Sequence, residues 1–346
     1  MVLAAKDAIL KKLHLSEMTS FNGGHRMAFP AMGTVNEIIF SHDSASRVRE
    51  FQHAVYEWLS TFEALYSVYI DSSLVSEINR AAGKSAVAID QMTEELLALC
   101  HWYHWKTRGL FDATSGPLIN LWDYHRKRDA LPAESEIEHA RALVGWDKVE
   151  QTNGHVRLLH EGMQLNLGGI GKEYAVDQLV QLADQNGINN ILVSLGRDIK
   201  CVGSPPEGSG WRVGLETPDA PERCWGGVYL DKMAICCSGH YARCFTHDGV
   251  RYSHLINPLT GYPSRAECDA VWVLAPSCVE AGILSTTAAM MDRSEALMII
   301  GSEWKAQGCY WAKGVRYETD KFEGYLIKKQ DRMLPVAGRV LDGCAQ

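Results

Sequence analysis

The sequence predicts an α+β protein, a two-lobed fold with helices packed on mixed and antiparallel sheets, and three observations carry that prediction. Val48, Phe51, Val55, Trp58, Leu59, Phe62 and Leu65 recur at helical spacing, as do shorter apolar series after them. From Ile191 onward the pattern changes to short β-rich runs separated by turn residues. Between the two regimes, Met163 to Leu167 reads as a strand that runs into Gly168-Gly169 and then a helix over 173–186, closed by Gly187. Helices first and antiparallel strands later divide the chain into an arm (1–28), a helix-rich lobe (29–160), a strand-rich lobe (161–334) and a tail (335–346).

Each element has its own signal. The arm holds a short helix and ends in Asn22-Gly23-Gly24, and Val35 to Phe40 is a strand. Asp90 is the N-cap of a helix carrying Leu96, Leu97, Cys100 and Tyr103 towards Gly109. Ser135 and Glu138 have the spacing of a capping box for a helix that stops at Gly145. The strand-like runs are Ile191 to Val202, Trp211 to Glu216, Val228 to Leu230, Met233 to Cys237, Tyr252 to Ile256 and Val271 to Leu274, and a last helical region follows Pro276.

At 346 residues with 46% hydrophobic and 22% charged side chains, the chain has ample apolar surface to bury. A net charge of -8 and no Lys/Arg run longer than Arg126-Lys127-Arg128 argue against nucleic acid as a partner. Lys6, Asp7, Lys11 and Lys12 interrupt the N-terminal apolar stretch, which reads as neither a signal peptide nor a membrane span, so a cytoplasmic protein is expected. Ten cysteines lie without a repeated spacing and without a CxxC pair, which predicts reduced, mostly buried thiols. His101 and His104 beside Cys100 read as a helix face, not as a metal site, for want of further ligands at matching spacing.

Three runs carry chemistry. Asn166-Leu-Gly-Gly-Ile-Gly-Lys-Glu-Tyr-Ala-Val-Asp177 puts paired glycines before a helix, where backbone can approach a ligand and unpaired N–H groups suit phosphate or pyrophosphate. Lys172 adds a point charge there and Tyr174 an aromatic face, although such turns also serve purely structural ends. Ser238-Gly-His-Tyr-Ala-Arg243 is followed by Tyr252-Ser-His-Leu-Ile-Asn-Pro-Leu-Thr-Gly261, in which His254 has the chemistry of an acid, a base or a phosphate donor, or of a packed strand histidine. Phe111-Asp-Ala-Thr-Ser-Gly-Pro-Leu118, with Trp122 beyond it, offers Asp112 within a turn.

Together these runs resemble the ApbE family of FAD:protein FMN transferases and related FAD-binding or FAD-cleaving proteins. The similarity spans about residues 30–290. It takes in Ala31-Met32-Gly33-Thr34, then Ser73, Ser76 and Asn79, then Phe111-Asp112, Thr114, Gly116-Pro117-Leu118 and Trp122. Gly168-Gly169-Ile170, Lys172 and Tyr174-Ala175-Val176-Asp177 follow, and after them Ser238-Gly239, Tyr241 and Arg243. His254, Pro258, Thr260-Gly261, Pro263, Ala281, Leu284, Ser285 and Thr286 complete the series.

The resemblance implies an FAD cleft between lobes, with Met32 and Tyr174 near the isoalloxazine, the Gly168-Gly169 turn near the pyrophosphate with Lys172 as a contact to it, and Gly33 among the cofactor-binding positions. Asn79, Asp177, Arg243 and His254 are implied as further cofactor-binding positions, and His254 and Asp112 as catalytic ones. It also implies Mg²⁺, held by the Gly171 carbonyl, an Asp and, four residues later, Thr286. FAD would be cleaved to AMP, and FMN passed to a Thr or Ser of a partner flavoprotein.

The chain departs from the family pattern at the metal. The expected Asp falls on Gly282, and losing an anionic oxygen ligand weakens a Mg²⁺ site. Family acids are replaced by Asn166, His240 and Asn257, and a glycine by Arg197. One expectation from these changes is that Arg197 clamps the pyrophosphate in place of Mg²⁺. Three readings follow: FAD:protein FMN transfer, retention of intact FAD as the redox cofactor of an oxidoreductase with a small-molecule substrate, or a non-catalytic flavin store or sensor.

Overall fold

The computed structural model describes residues 2–123, 130–206, 208, 210–240, 244–265, 267–303 and 305–328. Its elements run α1 (Val2–His14), β1 (Met18–Phe21), β2 (Gly24–Ala31), β3 (Thr34–Phe40), α2 (Ala45–Tyr66), α3 (Leu74–Ala81), β4 (Val87–Ala88), α4 (Gln91–Lys106), α5 (Gly116–Leu121) and α6 (Glu134–Ala142). There follow β5 (Val149–Thr152), β6 (His155–Leu158), α7 (Gly171–Gln185), β7 (Ile191–Leu195), β8 (Asp198–Val202), β9 (Trp211–Thr217), β10 (Ala220–Leu230) and β11 (Met233–Gly239). The last are β12 (Cys244–His247), β13 (Val250–Ser253), β14 (Ala270–Ala275), α8 (Cys278–Ala288), α9 (Arg293–Gly301), β15 (Gln307–Ala312) and β16 (Val315–Glu318).

The α+β class is as the sequence predicts. Nine strands form one sheet in the order β1-β2-β3-β7-β8-β11-β14-β15-β16, each pair of neighbours antiparallel. Side chains alternate across it, as the two-residue period of a strand requires. Ile38, Val193, Val271 and Val273 face a core shared with Phe51, Leu59, Leu179 and Ile283 of α2, α7 and α8. Ile39, Leu192, Trp272 and Leu274 face a second core closed by Trp211, Val213 and Leu230 of the β9–β10 ribbon. Within α2 the apolar stripe is buried as expected, and Phe51, Val55 and Leu59 are wholly inaccessible. Each such side chain contributes about 1.5–3 kcal/mol by leaving water.

Several elements differ from the sequence reading. Residues 2–28 are not a loose arm: α1 packs on α2, Leu13 and Met27 are fully buried, and β1 and β2 form one end of the main sheet. Strands from both sides of residue 160 therefore share that sheet. The run Ile191 to Val202 is two strands, because Gly196 and Arg197 turn the chain between them. The third predicted helix starts at Glu134, where the Glu136 carboxylate accepts from the Ala133 N–H (2.7 Å), so Ser135 and Glu138 do not form the box. Met163 to Leu167 joins no sheet: it is extended, with one isolated bridge from Gln164 to Ser115. The tail over 335–346 lies outside the described residues.

Of the cysteines, Cys100, Cys201, Cys236, Cys268, Cys278 and Cys309 are free and buried, while Cys237 and Cys244 are free and half-buried. The expectation of reduced thiols fails at Cys224, which is disulfide-bonded. No helix among the described residues is long and apolar enough to cross a membrane.

Candidate functional site

Two tight turns lie side by side at one end of the sheet. Met32 (φ 53°) and Gly33 (φ 71°) join β2 to β3, and Gly196 (φ 60°) and Arg197 (φ 78°) join β7 to β8. Positive φ at both central residues is the hairpin turn whose twist matches the flanking strands. Asn36, buried on β3, ties the turns together: its Nδ2 donates to the Ala31 carbonyl (3.0 Å) and its Oδ1 accepts from the Gly196 N–H (3.1 Å). Sequence reasoning missed Asn36. A buried polar residue in an otherwise apolar strand is the signal that could have found it.

The glycine turn sits beside them. A Cβ on Gly171 would lie 4.0 Å from Met32 Cε, and one on Gly196 would lie 3.1 Å from Thr34 and 3.4 Å from Lys172 Cδ. Gly168 and Gly169 are exposed, and α7 begins two residues later; the Gly171 N–H there is taken by the Leu167 carbonyl (2.7 Å), and the Lys172 N–H follows beside this turn. Asn79 shapes the approach: its side chain donates to the Leu165 carbonyl (3.0 Å) and accepts from the Leu165 N–H (2.7 Å). Each of its polar atoms thus makes a bond to the backbone of the segment that leads into the glycine turn. An amide side chain standing in for a neighbouring strand is also why Met163 to Leu167 is extended without a sheet.

Lys172 enters the cluster from the first turn of α7 and donates to the Asp198 carboxylate on β8, with Glu173 Oε1 3.6 Å away. Burial opposes its charge, but Glu173 and Asp198 more than offset this and raise its pKa. Glu173 is 5% exposed, and its Oε2 has no hydrogen-bond partner. Burial pushes its carboxyl up to about 7, with Lys172 opposing and Asp198 adding to the shift. Opposite, Ser238 at the end of β11 lies 2.9 Å from the Ser285 hydroxyl and 3.0 Å from that of Thr286 on α8. Met32, Gly33, Gly171 and Lys172 thus stand beside Thr34, Glu173 and Asp198, and Thr286 stands beside Ser238 and Ser285.

Other expected residues have different work. Asp177 accepts from the backbone N–H groups of Cys278 and Val279 (3.0 Å each) and from Lys200 (2.6 Å), so it holds the start of α8. Tyr174 is 4% exposed and stacks on Phe62 at 5.8 Å. Asp112 is buried, accepting from the Thr114 N–H (2.7 Å) and hydroxyl (2.6 Å), with His104 Nδ1 3.0 Å from its other oxygen. Asp112 thus anchors its own turn. Arg197 is 70% exposed and paired with Glu216, so its guanidinium is committed to a carboxylate on β9.

His254 is half-buried at the bend that follows β13, not in the strand itself. Arg243 lies outside the described residues. The acid-to-amide changes have a local explanation: Asn166 Oδ1 accepts from the Gly168 N–H (2.8 Å) and Asn257 Oδ1 from the Leu259 N–H (2.9 Å), acceptor roles that need no charge. No group of three or more His, Cys, Asp or Glu side chains is placed to hold a metal ion among the described residues. An open groove of about 550 Å³, lined by residues including Gln181, Asp184, Lys200 and Lys232, shares Asp177 with these contacts but not the glycine turn.

The family model described as the ApbE family matches residues 32–311. The FAD:protein FMN transferase of Treponema pallidum is 27% identical over 78% of this chain and 79% of its own length. That of Escherichia coli strain K12 is 26% identical over 92% of both chains. Among solved structures, the flavin transferase ApbE from Vibrio cholerae superposes with a TM-score of 0.79 at 25% identity, covering 90% of this chain and all of that one. The ApbE protein of Thermotoga maritima gives 0.80 at 27% identity, covering 88% of this chain and all of that one. The named relatives are transferases, and the redox-cofactor alternative finds no support among them.

Proposed function

The chain belongs to the ApbE family, and from that premise we propose that it is an FAD:protein FMN transferase acting on a Thr or Ser hydroxyl of a partner flavoprotein. One observation carries the reading: the exposed Gly168-Gly169 turn and the start of α7 stand beside Lys172 and the Met32-Gly33 turn, while α8 and β11 supply a hydroxyl cluster at Ser238, Ser285 and Thr286. Backbone N–H groups at a helix start, with an ammonium beside them, suit a pyrophosphate.

In the reaction, the acceptor hydroxyl oxygen bonds to the FMN phosphorus as the bond from that phosphorus to the bridging oxygen breaks. AMP leaves with the bridging oxygen, and the hydroxyl proton passes to solvent water. The backbone N–H groups of Gly169 and Lys172 bind the equatorial oxygens, and the Lys172 ammonium, held by Asp198, keeps its charge towards them. His254 is the group we assign to exchange a proton with a phosphate oxygen. The Thr286 hydroxyl and the Gly171 carbonyl are hard oxygen donors of the kind Mg²⁺ takes, and would hold it here. When bound, Mg²⁺ supplies positive charge against the pyrophosphate.

The test is incubation of the full chain with FAD, Mg²⁺ and a flavoprotein domain bearing an accessible Thr, following AMP by chromatography and covalent flavin by in-gel fluorescence. AMP and labelled acceptor should accumulate together, and EDTA should stop both. FAD recovered intact, without AMP, overturns the reading.

A further inference from the structure

A side chain at residue 282 and the glutamate at 173 exclude each other. A Cβ on Gly282 would lie 2.4 Å from Glu173 Cγ, 3.1 Å from its Cδ and 3.0 Å from its Oε1. Glu173 therefore fills the space over α8 that an Asp at 282 would enter. Its other oxygen, Oε2, is buried without a hydrogen-bond partner, an arrangement that native structures rarely leave unexplained.

Glu173 also neighbours both elements that carry the other two donors. It lies two residues after Gly171 in the first turn of α7. Gly282, which it touches, is four residues before Thr286, so both lie on one face of α8. The Ser285 hydroxyl donates to the Gly282 carbonyl (3.0 Å), and the Ser238 hydroxyl meets both Ser285 and Thr286, so oxygen donors continue along that face. Glu280, the other acid at the start of α8, lies 3.9 Å from Lys106 instead. Arg197 is turned to Glu216.

We infer that Glu173 supplies the anionic ligand for the divalent cation that residue 282 lacks, the acid having moved from α8 to the first turn of α7. The site keeps one carboxylate, a hydroxyl and a carbonyl, a donor set that leaves room for water and phosphate oxygens, as Mg²⁺ prefers. Lys172 is satisfied by Asp198, so Glu173 retains an oxygen to offer. The inference rests on the reading that a divalent cation works at this site.

The experiment measures binding, not turnover. Mn²⁺ is titrated into the purified full-length chain, with and without FAD, and free Mn²⁺ is read by electron paramagnetic resonance. Wild type should bind one ion. E173Q, which keeps the side-chain volume, should weaken binding by about 10–100-fold, and E173A/G282D, which returns the acid to α8, should recover most of it. G282D alone should not gain affinity, since its side chain collides with Glu173. Wild type that binds no Mn²⁺, or E173Q that binds it as wild type does, overturns the inference. Should E173Q fail to fold, the double variant decides: recovered affinity supports the relocation and absent affinity ends it. A chain that binds Mn²⁺ through Glu173 but never releases AMP would overturn the transferase reading and leave this one standing.

Discussion

The Asp177 carboxylate on α7 accepts the Val279 N–H at 3.0 Å, and with the same bond from Cys278 it holds the start of α8 from a neighbouring helix. An unsatisfied helix N-terminus is thereby closed by an anion, which also favours the positive end of the helix dipole. The consequence reaches the site, because α8 carries Gly282, Ser285 and Thr286.

Asp177→Ala removes that cap and leaves Lys200 without its carboxylate partner at 2.6 Å. We expect a loss of about 2–4 kcal/mol in urea denaturation. Weaker metal binding should accompany it, because α8 is no longer held against α7. Asp177→Asn, which can still accept one bond, should lose less on both measures.

Asn79→Ala should act without touching a ligand. It leaves the Leu165 N–H and carbonyl without the bonds they now make at 2.7 and 3.0 Å, a cost of about 1–3 kcal/mol. The loosened approach to Gly168-Gly169 should show as a raised Kd for FAD in a fluorescence titration. An unchanged Kd with an unchanged melting temperature would mean that Asn79 does not shape the turn.

Arg197→Gly should leave FAD affinity nearly unaltered. Arg197 is mostly exposed and paired with Glu216, a contact worth about 0–1 kcal/mol in such a setting. It also holds φ at 78°, where glycine is more comfortable, so the variant should be at least as stable. A large loss of FAD binding would revive the idea that this guanidinium neutralises the pyrophosphate.

His104 should make stability pH-dependent. The hydrogen bond to Asp112 raises its pKa above the ordinary 6.5, against the pull of burial. The folded state therefore holds the proton more tightly than the unfolded one. The resulting stabilisation is complete below about pH 6.5 and is lost as pH rises through the raised folded-state value. His104→Gln should flatten that part of a plot of unfolding free energy against pH.

Much of this fold was legible in the residues themselves. The seven-residue apolar series of α2, the Asp90 cap of α4 and the Gly168-Gly169 entry to α7 are local patterns, and local patterns follow from backbone geometry and periodicity. The run from Met163 to Leu167 was misread because its apolar character is that of a strand, while its backbone partner is the side chain of Asn79, 86 residues earlier. The partners of Asp112 and Asp177 were equally out of reach, since Asp177 meets backbone 101 residues away and Asp112 is paired with His104 of a preceding helix.

The sequence by itself determined the family, the class of fold and the position at which a metal-binding acid is missing, since all three depend on which residues occur and in what order. Only the tertiary structure decided which polar atoms were already spoken for. Asp177 meets Cys278 across 101 residues, and Glu173 fills the space above Gly282 from another helix. Hydrogen bonding and excluded volume act through space, so a substitution at 282 has a sequence signature only at 282, while its counterpart at 173 becomes visible when α7 and α8 are packed together.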